Sequence, residues 1–287
     1  MKSKEIKQIV KDGYTKIANS DVPRDCCNSK SCCGTAVSKK TISKGIGYSD
    51  KEINSVPDGA NLGLGCGNPI ALASLKKGEV VLDLGSGAGF DCFLASKKVG
   101  ETDKVIGVDM TPEMIKKAKE NARKGNYNNV EFKLGDIENM PVDDNSVDVI
   151  ISNCVINLSP EKEKVFKEAF RVLKPNGRLM VSDIVLINKL PDCIKDSIEA
   201  YVGCLSGAIM KNKYIGAIKT AGFQDVRIIE ETSFPIDYMA NDPTAKALIK
   251  KSNIPTEKIK QTVNSVNSIK VYGLKPGNEI KNDMLRR

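Results

Sequence analysis

Apolar segments of strand length alternate with segments of helical length from residue 79 to residue 187, and this alternation limits the fold more than any other feature of the sequence. Strands are predicted at residues 79–84, 104–109, 130–136, 146–152 and 177–187. The helices predicted after the second and fourth strands each begin with a proline, and Thr111 and Ser159 precede these prolines in N-cap position. Such alternation predicts parallel strands whose right-handed helical crossovers cover both faces of one sheet.

The rest of the chain extends this sheet and adds a region at either end. After a helical stretch at residues 193–221, two more strands are predicted at 225–236 and 268–276, with a helical segment at about 240–264 between them. We therefore expect an α/β, doubly wound, mostly parallel sheet of seven strands.

Three regions are predicted along the chain. Residues 1–45 contain an amphipathic helix (4–18) and a cysteine-rich arm without periodicity. Residues 46–235 form the main domain, which begins with a short helix at most, between glycine-rich turns. Residues 236–287 are an extension with a closing strand and a tail.

Composition excludes several classes of function. The 44 basic residues exceed the 36 acidic ones, but the lysines are spread singly over helical faces and aromatic residues make up only 5%. This pattern is typical of a solvated surface, so neither nucleic acid nor a membrane is expected as a partner. The charged amino terminus and the lack of a long apolar segment indicate a cytoplasmic protein.

The chain has nine cysteines and no histidine. In a cytoplasmic protein the cysteines are expected to be reduced thiols. The lack of histidine excludes Ser-His and Cys-His triads, imidazole bases and metal sites with histidine ligands. Cys92, within the first crossover helix, and Cys193, near a helix start, are interpreted as packing residues.

The first predicted strand ends at a glycine-rich turn, VLDLGSGAGF, that leads into a helix. Gly85, Gly87 and Gly89 would let a ligand approach bare backbone, and the helix start offers unpaired N–H groups. The spacing G-x-G-x-G departs from the G-x-G-x-x-G of dinucleotide sites, and glycine-rich turns also occur without a ligand.

Carboxylates stand at the ends of the first three strands, at Asp83, Asp109 and Asp136. Asp109 could accept ribose hydroxyls, and Asp136 with Ile137 suits the amino group and the flat face of adenine. Alternatively, Asp109 could only precede the Thr111 cap, and Asp136 could open a turn.

These motifs together resemble the class I S-adenosylmethionine-dependent methyltransferases over residues 67–235. The resemblance implies S-adenosylmethionine as the cofactor. The residues it assigns to the cofactor are Asp83, Gly85, Ser86, Gly87, Gly89, Asp109, Met110, Asp136, Ile137 and Ser152.

Three cysteines lie in separate segments that are expected near one edge of the sheet. Cys154 stands in SNCVINLS after the fourth strand, Cys66 in the turn GLGCGNP, and Cys204 in EAYVGCLSGAI. Each alone could be a packing residue. Three thiolates together would suit trivalent arsenic, which forms three bonds and keeps a lone pair, whereas zinc would require a fourth ligand.

The same cysteine contexts, with VLDLGSGAGFDC and GVDMTPEM, resemble the arsenite S-adenosylmethionine methyltransferases. This resemblance implies that Cys66, Cys154 and Cys204 hold arsenic(III) while methyl groups are added in turn. The arsenic would be supplied as arsenite or as its thiol conjugates. It also implies that thioredoxin or a small thiol reduces the cysteines again. Ile156 stands where some family members have a further cysteine, a departure that bears little on the three.

The amino-terminal arm carries two cysteine pairs, Cys26-Cys27 and Cys32-Cys33, in a pattern that matches no known zinc spacing. Vicinal thiols capture trivalent arsenic, so these pairs are candidate ligands that load the substrate or exchange disulfides. They could equally form a variable metal-binding tail or an unreactive one.

Two other functions stay open at this point. A methyltransferase acting on carbon in a quinone or sterol precursor would need a broad aromatic pocket, yet the chain has seven tyrosines, seven phenylalanines and no tryptophan. A thiol-based metalloid-binding protein that keeps S-adenosylmethionine only as a ligand would carry a partner-binding module, and the sequence shows none.

Overall fold

The computed structural model describes residues 3–19, 38–100, 103–191, 205, 207–233, 261–262 and 264–277. These residues form a seven-stranded sheet flanked by helices. The strands are β1 (Val81–Leu84), β2 (Val105–Asp109), β3 (Val130–Leu134), β4 (Val147–Asn153), β5 (Leu173–Leu186), β6 (Gln224–Ser233) and β7 (Val266–Leu274). The described helices are α1 (Ser3–Asn19), α2 (Lys39–Gly45), α3 (Asp50–Asn54), α4 (Pro69–Leu72), α5 (Phe90–Val99), α6 (Pro112–Lys124), α7 (Lys162–Val172) and α8 (Lys211–Thr220).

The strand order is β3-β2-β1-β4-β5-β7-β6. Strands β1 to β5 pair in parallel, and β7 pairs antiparallel with both β5 and β6. The predicted doubly wound, mostly parallel sheet is therefore confirmed. The order reverses between β1 and β4, and in such sheets this position opens a crevice at the carboxyl ends of the strands.

The core lies on both faces of the sheet because neighbouring residues of a strand point to opposite sides. Leu82 and Leu84 belong to the cluster that contains Phe166 of α7 and Tyr214 of α8. Val81 belongs to the other cluster, with residues of α5 and α6. The near-continuous apolar run of β1 is thus explained by burial on both faces.

Helix α1 packs onto the sheet domain rather than standing apart from it. Val10 is fully buried, Thr15 Oγ1 donates to the Glu113 carboxylate at 2.9 Å, and Lys117 Nζ donates to the carbonyl of Ala18. At the other end of the chain, β7 inserts between β5 and β6. The division of the chain at residues 45 and 235 stays a prediction, but both end regions contribute elements to this one fold.

Local predictions differ from the structure at a few element ends. Helix α7 begins at Lys162 with Glu161 as its N-cap, so the prediction of Ser159 as the cap is wrong. The Ser159 hydroxyl instead donates to Glu138 and accepts from the N–H of Glu161. Thr111 does hold the N-cap position of α6, although its side chain makes no capping hydrogen bond.

The short helix predicted at most within residues 45–69 is α3, and two further short helices, α2 and α4, lie at either end of this segment. Helices α2, α3 and α4 each begin after a side chain that accepts a hydrogen bond from the first turn, namely Ser38, Ser49 and Asn68. Ser49 and Glu52 form a capping box. Glycine content conceals these short helices, which end within two turns.

None of the described helices is long and apolar enough to cross a membrane. The predicted helical segments over 193–204 and most of 240–264 lie outside the described residues. The same is true of residues 20–37, which contain the four cysteines of the arm, and of the carboxyl-terminal tail after residue 277.

Candidate active site

Cys66 and Cys154 lie together at the carboxyl edge of the sheet. Their sulfurs and a carboxylate oxygen of Asp183 all lie within 4.8 Å of one another. Cys66 is 5% exposed, Cys154 is 7% exposed and Asp183 is completely buried. Among the described cysteines none forms a disulfide. The fold therefore places two soft donors and one carboxylate at a single buried point.

The end of β4 determines the position of Cys154. Its backbone is in the left-handed region, with φ +61°, which residues with a side chain rarely adopt. Its N–H donates to the carbonyl of Ser182 in β5 at 2.8 Å. The chain then enters a 3₁₀ turn over Ile156–Leu158. The strained conformation marks the point where the strand turns away, and strain of this kind is concentrated at functional sites.

Three strands hold the backbone around Cys66. The N–H of Cys66 donates to Asn153 Oδ1 at 3.0 Å, and Asn153 Nδ2 donates to the carbonyl of Gly67 at 2.7 Å. Ser268 of β7 donates to the carbonyl of Cys66 at 2.9 Å. The sulfur lies 3.8 Å from Ser182 Oγ of β5. The loop is thus fastened to β4, β5 and β7, none of which is near it in sequence.

Asn153 is itself fixed by a buried pair that sequence analysis does not single out. Tyr48 donates to Asp91 Oδ1 at 2.6 Å, and Asn153 Nδ2 lies 2.9 Å from the Tyr48 hydroxyl. Burial raises the pKa of Asp91 to about 6, and the hydrogen bonds from Tyr48 and Asn153 oppose this rise. The aspartate in GSGAGFDC was the available signal, since a carboxylate inside a buried helix face needs a partner.

Asp183 is the third member of the cysteine cluster, and sequence analysis misses it. Its Oδ1 accepts from Asn157 Nδ2 at 2.7 Å and from the N–H of Ile184 at 2.9 Å, and its Oδ2 accepts from the Tyr214 hydroxyl at 2.9 Å. Burial raises the pKa of Asp183 to about 6, whereas these hydrogen bonds and the charge of Lys162 lower it.

The glycine-rich turn after β1 has the backbone that the sequence predicts. Gly85, Gly87 and Gly89 have φ of +67°, +51° and +94°, a region that favours glycine. A Cβ built at Gly87 would meet nothing within 4 Å, so this residue borders open space. The Asp109 carboxylate accepts from the N–H of Gly87 at 3.0 Å and from that of Thr111 at 2.8 Å. Asp109 therefore braces the turn.

Two buried carboxylates at this turn carry raised pKa values. Burial, followed by the charges of Asp91 and Asp109, raises the pKa of Asp83 well above its usual range, while the thiol of Cys92 donates to it at 3.3 Å. Burial also raises the pKa of Asp109, against the two backbone hydrogen bonds. Cys92 is completely buried, as its interpretation as a packing residue requires, and it is also a hydrogen-bond partner of Asp83. The turn is therefore suited to a cationic ligand.

Comparisons with known proteins agree with this geometry. Residues 75–222 match the model of a family described as a methyltransferase domain. An arsenite methyltransferase from Halobacterium salinarum is 45% identical over 85% of this chain. The crystal structure of an arsenic(III) S-adenosylmethionine methyltransferase from Chlamydomonas reinhardtii has a TM-score of 0.61 and 31% identity, covering 83% of this chain and 74% of that one. The chain belongs to the arsenite S-adenosylmethionine methyltransferase family.

Two further facts define the extent of this similarity. The chain spans 65% of the length of the Halobacterium arsenite methyltransferase. A ubiquinone/menaquinone biosynthesis C-methyltransferase from Salmonella arizonae is 40% identical, but over only 39% of this chain and 45% of its own length. The similarity to the arsenite family thus extends well beyond the segment shared with a carbon-methylating enzyme.

The residues predicted to hold S-adenosylmethionine fit such a ligand. The hydroxyls of Ser86 and Ser152 are buried and have no hydrogen-bond partner among the described residues. Ser152 of β4 pairs with Leu84, the last residue of β1, so it lies at the carboxyl edge of the sheet. Met110 packs against the apolar cluster that contains Cys66 and Cys154. Unpaired buried hydroxyls, a glycine turn and buried acids together suit a polar, positively charged ligand.

The predicted adenine residues differ from one another in the structure. Ile137 is 8% exposed and packs in the core. Asp136 is exposed and forms an ion pair with Lys7 of α1 at 3.0 Å, and Lys7 also pairs with Glu138. Their role toward adenine stays a prediction, and α1 lies next to this end of the crevice.

Five of the predicted arsenic-binding cysteines lie outside the described residues. They are Cys26, Cys27, Cys32, Cys33 and Cys204. Leu205, the residue after Cys204, is buried in the apolar cluster that contains Cys66 and Cys154.

Proposed function

We propose that this chain transfers methyl groups from S-adenosylmethionine to trivalent arsenic, with Cys66, Cys154 and Cys204 as the three thiolate ligands. The observation that carries the proposal is the position of the first two sulfurs, within 4.8 Å of each other at the carboxyl edge of the sheet. Leu205 supports the assignment of Cys204, since it adjoins that residue and packs in the same cluster as the other two cysteines.

The chemistry of the cysteine pair matches this substrate. Thiolates are soft donors and are preferred by soft, thiophilic elements. Arsenic with three bonds to sulfur keeps a lone pair, which is already a nucleophile, so no general base is required. The complete lack of histidine is consistent with such a reaction. The remaining task of the protein is to align the reacting atoms and exclude water, which the burial of both cysteines favours.

S-adenosylmethionine supplies a methyl group bonded to a positively charged sulfur. Asp83 and Asp109 would offset positive charge in the crevice, since both carboxylates are buried close to the glycine turn. The Ser86 and Ser152 hydroxyls would find hydrogen-bond partners in the ligand. The open space beside Gly87 would let the ligand approach the backbone.

The proposed reaction also implies a compartment and a reductant. Thiolate ligands must be reduced to bind arsenic, which favours the cytoplasm. We expect thioredoxin or a small thiol to restore them after turnover. Cys26, Cys27, Cys32 and Cys33 are candidate thiols for capturing arsenic before it reaches the site.

The test is to incubate the purified protein with arsenite, S-adenosylmethionine and a thiol reductant, and to separate the arsenic species by chromatography with element-specific detection. We expect methylated arsenic that is absent when S-adenosylmethionine is omitted. The Cys154→Ser variant should lose this activity and still bind S-adenosylmethionine, because the hard serine oxygen replaces a soft ligand.

A matched control is Ile156→Val on the turn that follows Cys154. Ile156 is completely buried, and the substitution removes one methylene without touching a thiol, at a cost of about 1 kcal/mol. It should methylate arsenite at close to the parent rate. Unchanged arsenite in the parent reaction, with cofactor binding intact, would refute the proposal, as would full activity of Cys154→Ser.

A further inference from the structure

We infer that the carboxylate of Asp183 is the counter-ion for the positive charge that arsenic acquires on methylation, an inference that rests on the proposed function. Arsenic bonded to three thiolates is neutral. Methylation forms an As–C bond from the arsenic lone pair and breaks the C–S bond of the methyl donor, whose sulfur keeps the electron pair. The positive charge passes from that sulfur to arsenic, and no proton is transferred.

The position of Asp183 suits this role. One of its carboxylate oxygens lies within 4.8 Å of both the Cys66 and Cys154 sulfurs, so arsenic bound to these sulfurs lies beside the carboxylate. Asp183 is 0% exposed. At a buried position of low dielectric constant, a fixed charge acts on a developing charge more strongly than it would in water.

The surroundings of Asp183 fix the orientation of its carboxylate. Three donors, from Asn157, Ile184 and Tyr214, bind its two oxygens at 2.7 to 2.9 Å. The ammonium of Lys162 also favours the ionised form. A charge held in place before the reaction need not reorganise during it, which is the condition for electrostatic stabilisation of a transition state.

Direct ligation of arsenic by Asp183 explains these contacts less well. Oxygen is a hard donor, and a soft element prefers sulfur when thiolates are at hand. A carboxylate has about four acceptor positions, and the three donors already occupy most of them. The group is therefore better placed to act through its charge than through a bond.

The Asp183→Asn variant removes the charge and can keep the hydrogen bonds. The amide oxygen can accept from Asn157 and Ile184 as Oδ1 does, and the Tyr214 hydroxyl can rotate to accept from the amide nitrogen. We expect the single-turnover rate of arsenic methylation to fall by about a hundredfold. Phenylarsine oxide is a neutral arsenical that binds two neighbouring thiols. The affinities of the variant for S-adenosylmethionine and for phenylarsine oxide should stay within about threefold of those of the parent.

A binding measurement tests the same idea without turnover. Tetramethylarsonium mimics the charge of the methylated product, and its affinity for the protein should fall about tenfold in Asp183→Asn. The control is Tyr214→Phe, which removes one hydrogen bond and keeps the carboxylate. Its methylation rate should fall by less than about tenfold. An equal loss in the two variants would mean that geometry matters rather than charge, and the inference would be wrong.

A second variant covers the case in which Asp183→Asn does not fold. Asp183→Ala leaves space for a small carboxylate, so formate should restore methylation and the neutral formamide should not. Equal rescue by both compounds, or rescue by neither, would overturn the inference.

The outcomes separate this inference from the proposed function. A parent protein that leaves arsenite unchanged refutes the proposed function itself. A parent that methylates arsenite, together with an Asp183→Asn variant that does so at the parent rate, refutes only the counter-ion. Loss of phenylarsine oxide binding in Asp183→Asn would also refute it, since the residue would then shape the thiol pair.

Discussion

At the scale of single residues, two glycines decide where the Cys66 sulfur can lie. Gly65 has φ +106°, and a Cβ there would come within 2.7 Å of the Asn153 side chain. A Cβ at Gly67 would lie 2.0 Å from Ser182 Oγ. The loop can approach β4 and β5 this closely only because neither residue has a side chain. The sequence GCG is thus a steric requirement for placing the thiol.

Substitution of Gly65 by alanine should separate the two thiols. The added Cβ presses on Asn153, which holds the N–H of Cys66. We expect phenylarsine oxide to bind at least tenfold more weakly, with a free energy of unfolding lowered by about 1 kcal/mol or more. Binding is measured by titration and stability by urea denaturation.

Gly78→Ala is the control for Gly65→Ala. Gly78 has φ +89°, a similar backbone strain, but a Cβ there meets nothing within 4 Å. It should lose about 1 kcal/mol of stability and bind phenylarsine oxide like the parent. Equal binding by the two variants would show that the contact with Asn153 does not position the thiol.

At the scale of elements, helix α1 closes one side of the cysteine cluster. Val10 is fully buried in the apolar cluster that includes Cys66 and Cys154. Lys7, one turn earlier, pairs with Asp136 and Glu138 at the crevice. Such partly exposed ion pairs contribute little to stability, so the apolar contact of Val10 carries most of the docking. The first helix is therefore part of the site's wall.

The Val10→Ala variant should loosen this wall. Loss of two buried methyl groups is expected to cost about 2 kcal/mol and to make Cys66 and Cys154 react faster with a thiol reagent. Reaction rates are followed by absorbance in the folded protein. Lys16→Ala, on the exposed side of the same helix, serves as the control. Identical thiol reactivity in Val10→Ala and the parent would show that α1 does not limit access.

At the scale of the whole molecule, the site concentrates buried carboxylates at the centre of a protein with net charge +8. Asp83, Asp91, Asp109 and Asp183 are each at most 8% exposed, and burial raises the pKa of every one. Ionised carboxylates in such buried positions destabilise the folded protein when no ligand is bound, and they favour the binding of cationic ligands. The fold thus gives up stability at the site where the proposed methyl donor carries its positive charge.

This cost predicts how the stability of Asp91→Asn depends on pH. The pKa of Asp91 is about 6 when folded, against 3.8 ordinarily, so the folded state binds more protons between these values. The Asp91 contribution to the free energy of unfolding therefore falls as pH rises from about 4 to about 6, then stays constant. Asp91→Asn removes this loss, and its stability relative to the parent should rise by about 3 kcal/mol over that range.

Urea denaturation of both proteins at several pH values measures this difference. The pKa of Asp91 is affected by three neighbouring side chains, and both proteins contain all three: Tyr48, Asn153 and Glu52. Loss of the Asp91 charge also relieves Asp83, which acts in the same direction. The weak hydrogen bond from Asn153 that the variant loses gives an offset without pH dependence. A stability difference that does not change with pH would contradict the prediction.

The sequence by itself determined the strands and their order of succession, because the apolar pattern of a strand is local. All seven predicted strands are present, and the glycine turn has the positive φ values that its composition indicates. Helix starts were less predictable: Ser159 has the chemistry of a cap, but Glu138 from another loop binds it instead. Cys66, Cys154 and Cys204 were predicted to meet from their sequence contexts, and the fold brings the first two together, while Cys204 lies outside the described residues.

Only the tertiary structure decided that Asp183 joins the two cysteines. In VSDIVLI it is one polar residue in an apolar strand, with no local sign of its surroundings. Its partner Asn157 comes from the turn after β4, Tyr214 comes from α8, and the cysteines come from two other loops. The pattern of apolar residues along a segment indicates which of its own side chains are buried. Which side chains meet across segments depends on strand order and register, because these set the distances between residues far apart in sequence.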